Sequence, residues 1–153
     1  MLDVKAYDNF EQASKAVLAF FHFLLVLSLW MVTRTEGENW IVLSVEDDFY
    51  QVESGAVFKW TDSFFSRMVQ GLGSRITPDV AQSPVYLQAP IGQNIPIQAY
   101  VGVPLVDKHG LLFGTLCAID PQPQDARIEQ ELPLVELCAR LLMSILECDM
   151  QKM

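Results

Sequence analysis

Three cysteines, two histidines and a few carboxylates are the residues of this chain whose chemistry could amount to more than packing. Cys117, Cys138 and Cys148 are an odd number, with no Cys-x-x-Cys spacing and no histidine close in sequence. That pattern suits neither a tetrahedral zinc site nor a disulfide framework. A thiol relay needs accessible thiolates within reach of each other. Cys117 sits in a strand-like run, and Cys138 and Cys148 are ten residues apart in a helix-like one, a rise of roughly 15 Å. The expectation is therefore buried or idle thiols in a reducing cytosol and no catalysis. His22 lies within an apolar stretch and reads as a core or helix-edge residue; His109 falls in a turn and reads as solvated. Asp47 and Asp48 read as the end of a strand, and no Ser-His-Asp set has a supporting motif around it.

The elements that must position these groups follow from periodicity. "AVLAFFHFLLVLSLWMV", from Ala16 to Val32, carries no charge apart from that of His22. At 17 residues it is at the lower limit for a bilayer span, and its flanks lack a basic cluster. It divides better into two. Phe10, Ala13, Val17, Phe20, Phe21, Leu24, Leu25 and Leu27 recur at helical steps. From Ser28 onward aromatic and β-branched residues favour a strand. The run is thus expected to be a buried helix feeding a strand, in a chain without a membrane segment.

At 153 residues, 51% hydrophobic and with a net charge of −9, the chain is sized for one domain spanning residues 1–153 with a full core. It has no basic stripe with which to hold a nucleic-acid backbone. After "LWMVTR", "EGEN" is a turn and "WIVLSVEDD" the second strand of a hairpin. "TDSFFSRMVQGLG" starts a helix with Thr61 or Asp62 as its cap. The stretch from Ser74 to Gln98 holds four of the eight prolines, Pro78, Pro84, Pro90 and Pro96, and has little periodicity beyond a possible short helix at "PDVAQSP". Long irregular connections of this kind are usually functional.

"AYVGVPLVDKHGLLFGTLCAID" reads as a hairpin around "DKHG". Counting from Val106 opposite Leu111 puts Tyr100, Gly102, Pro104, Phe113, Thr115 and Cys117 on one face. Val101, Val103, Leu105, Leu112, Gly114 and Leu116 form an aliphatic opposite face. Glycine within a strand marks close approach by another group, either a packed side chain or a ligand. A final helix, "LVELCARLLMSILECDM", carries an apolar stripe wider than one sheet contact needs, and the surplus flank is expected to meet a second chain.

Taken in order, "LWMVTR", "WIVL", "FKWTDSFFSRMVQG", "ITPDV", "API", "IPIQAYVGVPL" and "LFGTLCAIDPQPQ" resemble GAF domains placed N-terminal to bacterial diguanylate cyclases and related signalling proteins, over about Phe10 to Glu147. The resemblance implies an α+β, GAF/PAS-like fold. Its centre would be a six-stranded antiparallel sheet, with terminal helices on one face and a crossover segment with short helices on the other. It also implies a small-molecule pocket under the crossover. The residues expected to line it are Trp60, Phe64, Phe65, Met68, Tyr86, Tyr100, Thr115 and Cys117, with Arg75 and Asp79 orienting a polar ligand. No Cys-His pair suggests a bilin attachment point, and no cyclic-nucleotide constellation can be assembled. The Ser-Phe-Cys common in related domains reads Ser63-Phe64-Phe65 here. The implied role is a non-catalytic cytoplasmic sensor or regulator needing no cofactor. Its partners would be an unidentified small molecule, a second copy through the terminal helices, and a diguanylate cyclase or kinase output. A structural dimerisation module with a degenerate pocket is the alternative, and a free methionine sulfoxide reductase-like enzyme a more distant one.

Overall fold

The computed structural model describes residues 8–152. Its helix α1 (Asp8–Leu24) runs into strand β1 (Leu29–Glu36), so the long apolar run is two elements. No helix among the described residues is long and apolar enough to cross a membrane. Strand β2 (Asn39–Asp47) returns through a tight turn in which Gly37 takes a φ of 60°. A short strand β3 (Val57–Lys59), absent from the sequence reading, extends the sheet outward.

Helix α2 (Phe64–Val69) is capped by Ser63, whose Oγ accepts from the Ser66 amide; Thr61 and Asp62 instead form a 3-10 turn before it. The crossover contains strand β4 (Ile76–Thr77), a 3-10 turn at Val80–Gln82, and helices α3 (Pro84–Leu87) and α4 (Ile91–Asn94). Strands β5 (Ala99–Val106) and β6 (Leu112–Asp120) and helix α5 (Leu132–Gln151) complete the chain.

The six strands form one antiparallel sheet in the order β3-β2-β1-β6-β5-β4. Helices α1 and α5 pack on one face with Trp30, Val32, Val101, Val103, Leu105 and Leu116. The crossover packs on the other with Leu29, Met31, Trp40, Val42, Tyr100 and Cys117. β1 therefore sends alternate residues into two cores, which is why its sequence shows no polar side.

The β5–β6 register sets Gly102 opposite Cys117 and Pro104 opposite Thr115, two residues from the register obtained by counting. Because the slip is even, the faces survive. Phe113 is the exception. A bulge beside Val106 turns it to the helix side, where its ring meets that of Phe10 edge-on at 5.8 Å. In α1 the buried stripe is Phe10, Ser14, Leu18 and Phe21, so Phe20 and Leu24, read from the sequence as core, face outward.

Two buried carboxylates fix the layers. Asp149 of α5 accepts from the Asn9 side chain (3.0 Å) and the Phe10 amide (2.8 Å), capping the start of α1. Asp120 accepts from the amide and hydroxyl of Ser28 and from the Gln122 amide, joining the exit of β6 to the entry of β1.

Gly114 is the tightest point of the sheet. A Cβ there would overlap the Thr33 carbonyl and the Arg34 Cα, both backbone atoms of β1. Gly114→Ala is expected to destabilise the domain by about 2–3 kcal/mol. The reading is a lower urea midpoint at unchanged slope; an unchanged midpoint refutes it.

Candidate functional site

The crossover side of the sheet gathers most of the residues expected to line a pocket. Phe64, Phe65 and Met68 come from α2, Tyr86 from α3, Tyr100 from β5 and Cys117 from β6; all are buried in one apolar cluster. Thr115 is buried beside Cys117, and Trp60 is half-buried against Trp40, their rings 6.3 Å apart.

Arg75 and Asp79 do not join them. Arg75 pairs with Glu136 on α5, and Asp79 caps the 3-10 turn through the Ala81 amide. Both side chains are thus engaged in bonds outside the aromatic cluster, while the positive charge of Arg75 still acts on the nearby Tyr100 phenol.

The cluster is nearly solid. The cavity bounded by Met31, Trp40, Phe58, Phe64, Phe65 and Ile97 measures about 20 Å³, room for roughly one water and far below the 300–1,000 Å³ typical of small-molecule sites. The group approaching Gly102 is Phe65, whose ring carbon would stand 2.6 Å from an added Cβ. Gly73 has the same relation to the Tyr86 ring. Both glycines make room for aromatic rings, so the group that approaches the strand at Gly102 is a packed side chain.

Polar groups inside the cluster are satisfied by each other. The Tyr86 and Tyr100 hydroxyls are 2.9 Å apart, and Tyr86 lies 2.6 Å from the Ser74 carbonyl. A carbonyl only accepts, so Tyr86 donates to Ser74 and Tyr100 donates to Tyr86. Burial pushes Tyr86 up to about 12 and holds Tyr100 well above the usual phenol range, with the neighbouring Tyr86 adding to the latter.

A second chain crosses the sheet. The Trp40 indole donates to Thr33 Oγ1 (2.7 Å), which also accepts from the Thr115 amide (3.2 Å). The Thr33 proton is then left for Thr115 Oγ1 at 2.6 Å, and Thr115 faces Cys117 Sγ at 3.5 Å. Thr115 and Cys117 thus belong to a closed network. Burial raises the Cys117 thiol far above its ordinary range, so it supplies no thiolate near neutrality. Burial also raises Cys138, and Cys148 is exposed on the same helix.

Several contributors escaped the sequence reading: Leu29, Met31, Trp40, Val42, Ile97 and Ile119. Tyr50 also reaches in, its hydroxyl donating to the Pro96 carbonyl at 2.7 Å and so tying the β2–β3 loop to the crossover. The signal available for the strand residues was period two: once Met31 is on the crossover face, Leu29 and Thr33 must follow. His22, expected at a helix edge, stands 3.1 Å from Asp48 there.

The GAF domain family model matches residues 12–146. Among curated proteins, a cyclic di-GMP phosphodiesterase of Pseudomonas aeruginosa is 28% identical over 145 residues, which is 94% of this chain and 23% of that protein. The chain spans about a quarter of the length of that relative. Among solved structures, the GAF domain of Thermosynechococcus elongatus PixJ in its blue-light-absorbing form matches with a TM-score of 0.68 and 15% identity, over 99% of this chain and 95% of that one. A free methionine-R-sulfoxide reductase from Neisseria meningitidis matches at 0.72 and 13%, over 94% and 81%. The GAF domain of an Acinetobacter phosphoenolpyruvate-protein phosphotransferase matches at 0.68 and 14%, over 90% and 82%. At these identities the structural likeness concerns the fold.

Two outcomes are expected. Thr33→Val strands the Trp40 N–H and the Thr115 amide in an apolar layer, lowering stability by about 1–3 kcal/mol in chemical denaturation. Tyr86 has a folded pKa above its unfolded one, so the stability it contributes is complete below about 10 and is lost as pH rises towards 12. The melting temperature should fall across that window, less steeply in Tyr86→Phe; equal slopes would refute the assignment.

Proposed function

The chain belongs to the GAF domain family, and from that premise we propose that it is a non-catalytic regulatory domain of bacterial cyclic di-GMP signalling, working through its terminal helices. The observation that carries this reading is the apolar flank of the helix pair, which no other described residue covers fully. Phe20 and Leu24 on α1 and Leu137 and Leu141 on α5 are 41–53% exposed, although each helix already buries a full stripe against the sheet. A second copy is the natural partner for such a flank, and the dimer so formed would hand a change in helix packing to an output domain. The Pseudomonas aeruginosa relative, a cyclic di-GMP phosphodiesterase, supports an output that makes or breaks this messenger.

The inaccessible Cys117 and the separation of Cys138 from Cys148 along one helix favour regulation over sulfoxide reductase-type catalysis. Sensing, on this reading, is a shift of the crossover. The filled aromatic cluster represents the closed state, and a ligand that binds only an opened state would move the population towards it. The Tyr50–Pro96 and Tyr86–Ser74 bonds are the contacts that such opening must break.

A second reading, a structural dimerisation module with a permanently filled pocket, is favoured by the seating of Phe65 against Gly102. Native mass spectrometry of protein purified from cells, with hydrogen exchange across Ser74–Gln98, separates the two. A bound small molecule that alters exchange in that segment supports sensing. Clean protein whose crossover exchange answers to no extract fraction supports the structural module.

In solution the protein is expected to be a dimer at micromolar concentration by light scattering, and Leu141→Glu is expected to make it monomeric without lowering its melting temperature. A wild-type monomer removes the proposal's transmission route.

A further inference from the structure

Two spaces meet at the margin of the crossover core. Inside is the cavity of about 20 Å³ described above. Outside it, between the loop after β2 and the end of α4, lies a groove of about 440 Å³ walled by Tyr50, Val52, Ala56, Phe58 and Ile95. Val52, Phe58 and Ile95 bound both spaces and are half-buried. A side chain that faces two spaces is the partition between them, so these three separate the aromatic cluster from solvent here.

The two walls of the groove are held differently. On the loop side, Asp47 accepts from the Phe49, Tyr50 and Val52 amides at 2.8–2.9 Å. The Val42 amide donates to the Ala56 carbonyl, and the Gly55 amide to that of Val42. That wall is pinned to the sheet. The other wall is Ile95 and Pro96, at the end of the four-residue helix α4. The Tyr50 hydroxyl donates to the Pro96 carbonyl at 2.7 Å, the one hydrogen bond across the groove among the described residues. Burial, with Asp120 and Asp47 adding to it, holds this phenol far above its ordinary range, so the bond keeps its proton.

The interior side of the partition sets what can enter. The cavity is bounded by aliphatic and aromatic side chains and Met31, and its one polar side-chain atom, the Trp40 N–H, is already spent on Thr33. A charge or a free donor carried in would find no partner there. Trp40, Phe58, Phe64 and Phe65 instead offer ring faces and edges to another ring.

We propose that the groove beside Tyr50 is the port of the crossover cavity, that the Tyr50–Pro96 bond is its latch, and that the molecule admitted is a small uncharged aromatic one, seated against Ile97, Ile119, Trp40 and Phe65. The route presupposes the crossover sensing proposed above and gives it a ligand class. Entry parts Ile95 from Phe58 and breaks the latch, so the latch bond belongs to the closed form alone.

Toluene is the probe, titrated into the full chain and followed by methyl NMR, with benzoate as its charged counterpart. Shifts are expected at the Ile97 and Ile119 methyls with toluene and not with benzoate. Tyr50→Phe should bind toluene roughly fivefold more tightly, through faster association, because it weakens only the closed form; a residue that merely lined the site would bind no tighter on losing its hydroxyl. Ser54→Trp, which narrows the groove from its exposed side, should slow association and release alike at unchanged Kd. The proposal is overturned by interior shifts with benzoate, by toluene shifts confined to Val52 and Ile95, by Tyr50→Phe binding no tighter, or by unchanged rates in Ser54→Trp. It is overturned too by no shifts up to the solubility of toluene. In each of these cases an extract fraction that still alters exchange across Ser74–Gln98 leaves crossover sensing standing, and the lack of any such fraction removes both.

Discussion

Strands β1, β6 and β5 have no solvent side, and the bonds among Trp40, Thr33, Thr115 and Cys117 make their stacking work. Sheets sealed on both faces must bury every side chain they carry, including the polar ones, and each buried donor or acceptor left over weakens the fold. Here the polar atoms are threaded in series: indole to hydroxyl, hydroxyl to hydroxyl, hydroxyl to thiol, with the Thr115 amide also taken up. The series joins β2, β1 and β6 and locks their registers. It also draws β1 and β6 together at the place where Gly114 lets two backbones touch.

The same constraint explains why the crossover side is so full. Phe65 on Gly102, Tyr86 on Gly73 and the stacked rings of Phe64 and Tyr86 at 5.1 Å leave no organic-sized void. The tyrosine hydroxyls find partners only by pointing at each other and at a crossover carbonyl. Any molecule admitted to this face must replace those contacts, not fill a vacancy. Ligand-sized grooves lie instead at the margins of the sheet, about 440 Å³ beside Tyr50 and Phe58 and about 430 Å³ beneath the last turns of α5.

Much of this could be read in the sequence. The split of the apolar run into helix and strand, both hairpins and the placement of Tyr100, Thr115 and Cys117 opposite the aliphatic face all follow from period and turn chemistry, whereas the short helices of the crossover follow only from the family resemblance, "PDVAQSP" itself holding a 3-10 turn. The misreadings have local causes. Phe20 and Leu24 were assigned to the core because α1 is apolar around most of its circumference, so composition did not distinguish the sheet side from the outer side. Phe113 was misplaced because a bulge inverts alternation, and no residue type announces one. Arg75 and Asp79 stand out in sequence as the charged groups of the crossover, but their partners, Glu136 on α5 and the Ala81 amide, are set by a backbone with no period to read. The apolar lining from β1 and β2 was missed because strands buried on both faces show no alternation to count.

The cap that Asp149 places on α1 has a mechanical corollary. A carboxylate near one end of the last helix holds the opening turn of the first, so the two rods share a hinge pin. Rotation or axial sliding of either is passed to the other at that end, and the pair answers torque as a single lever.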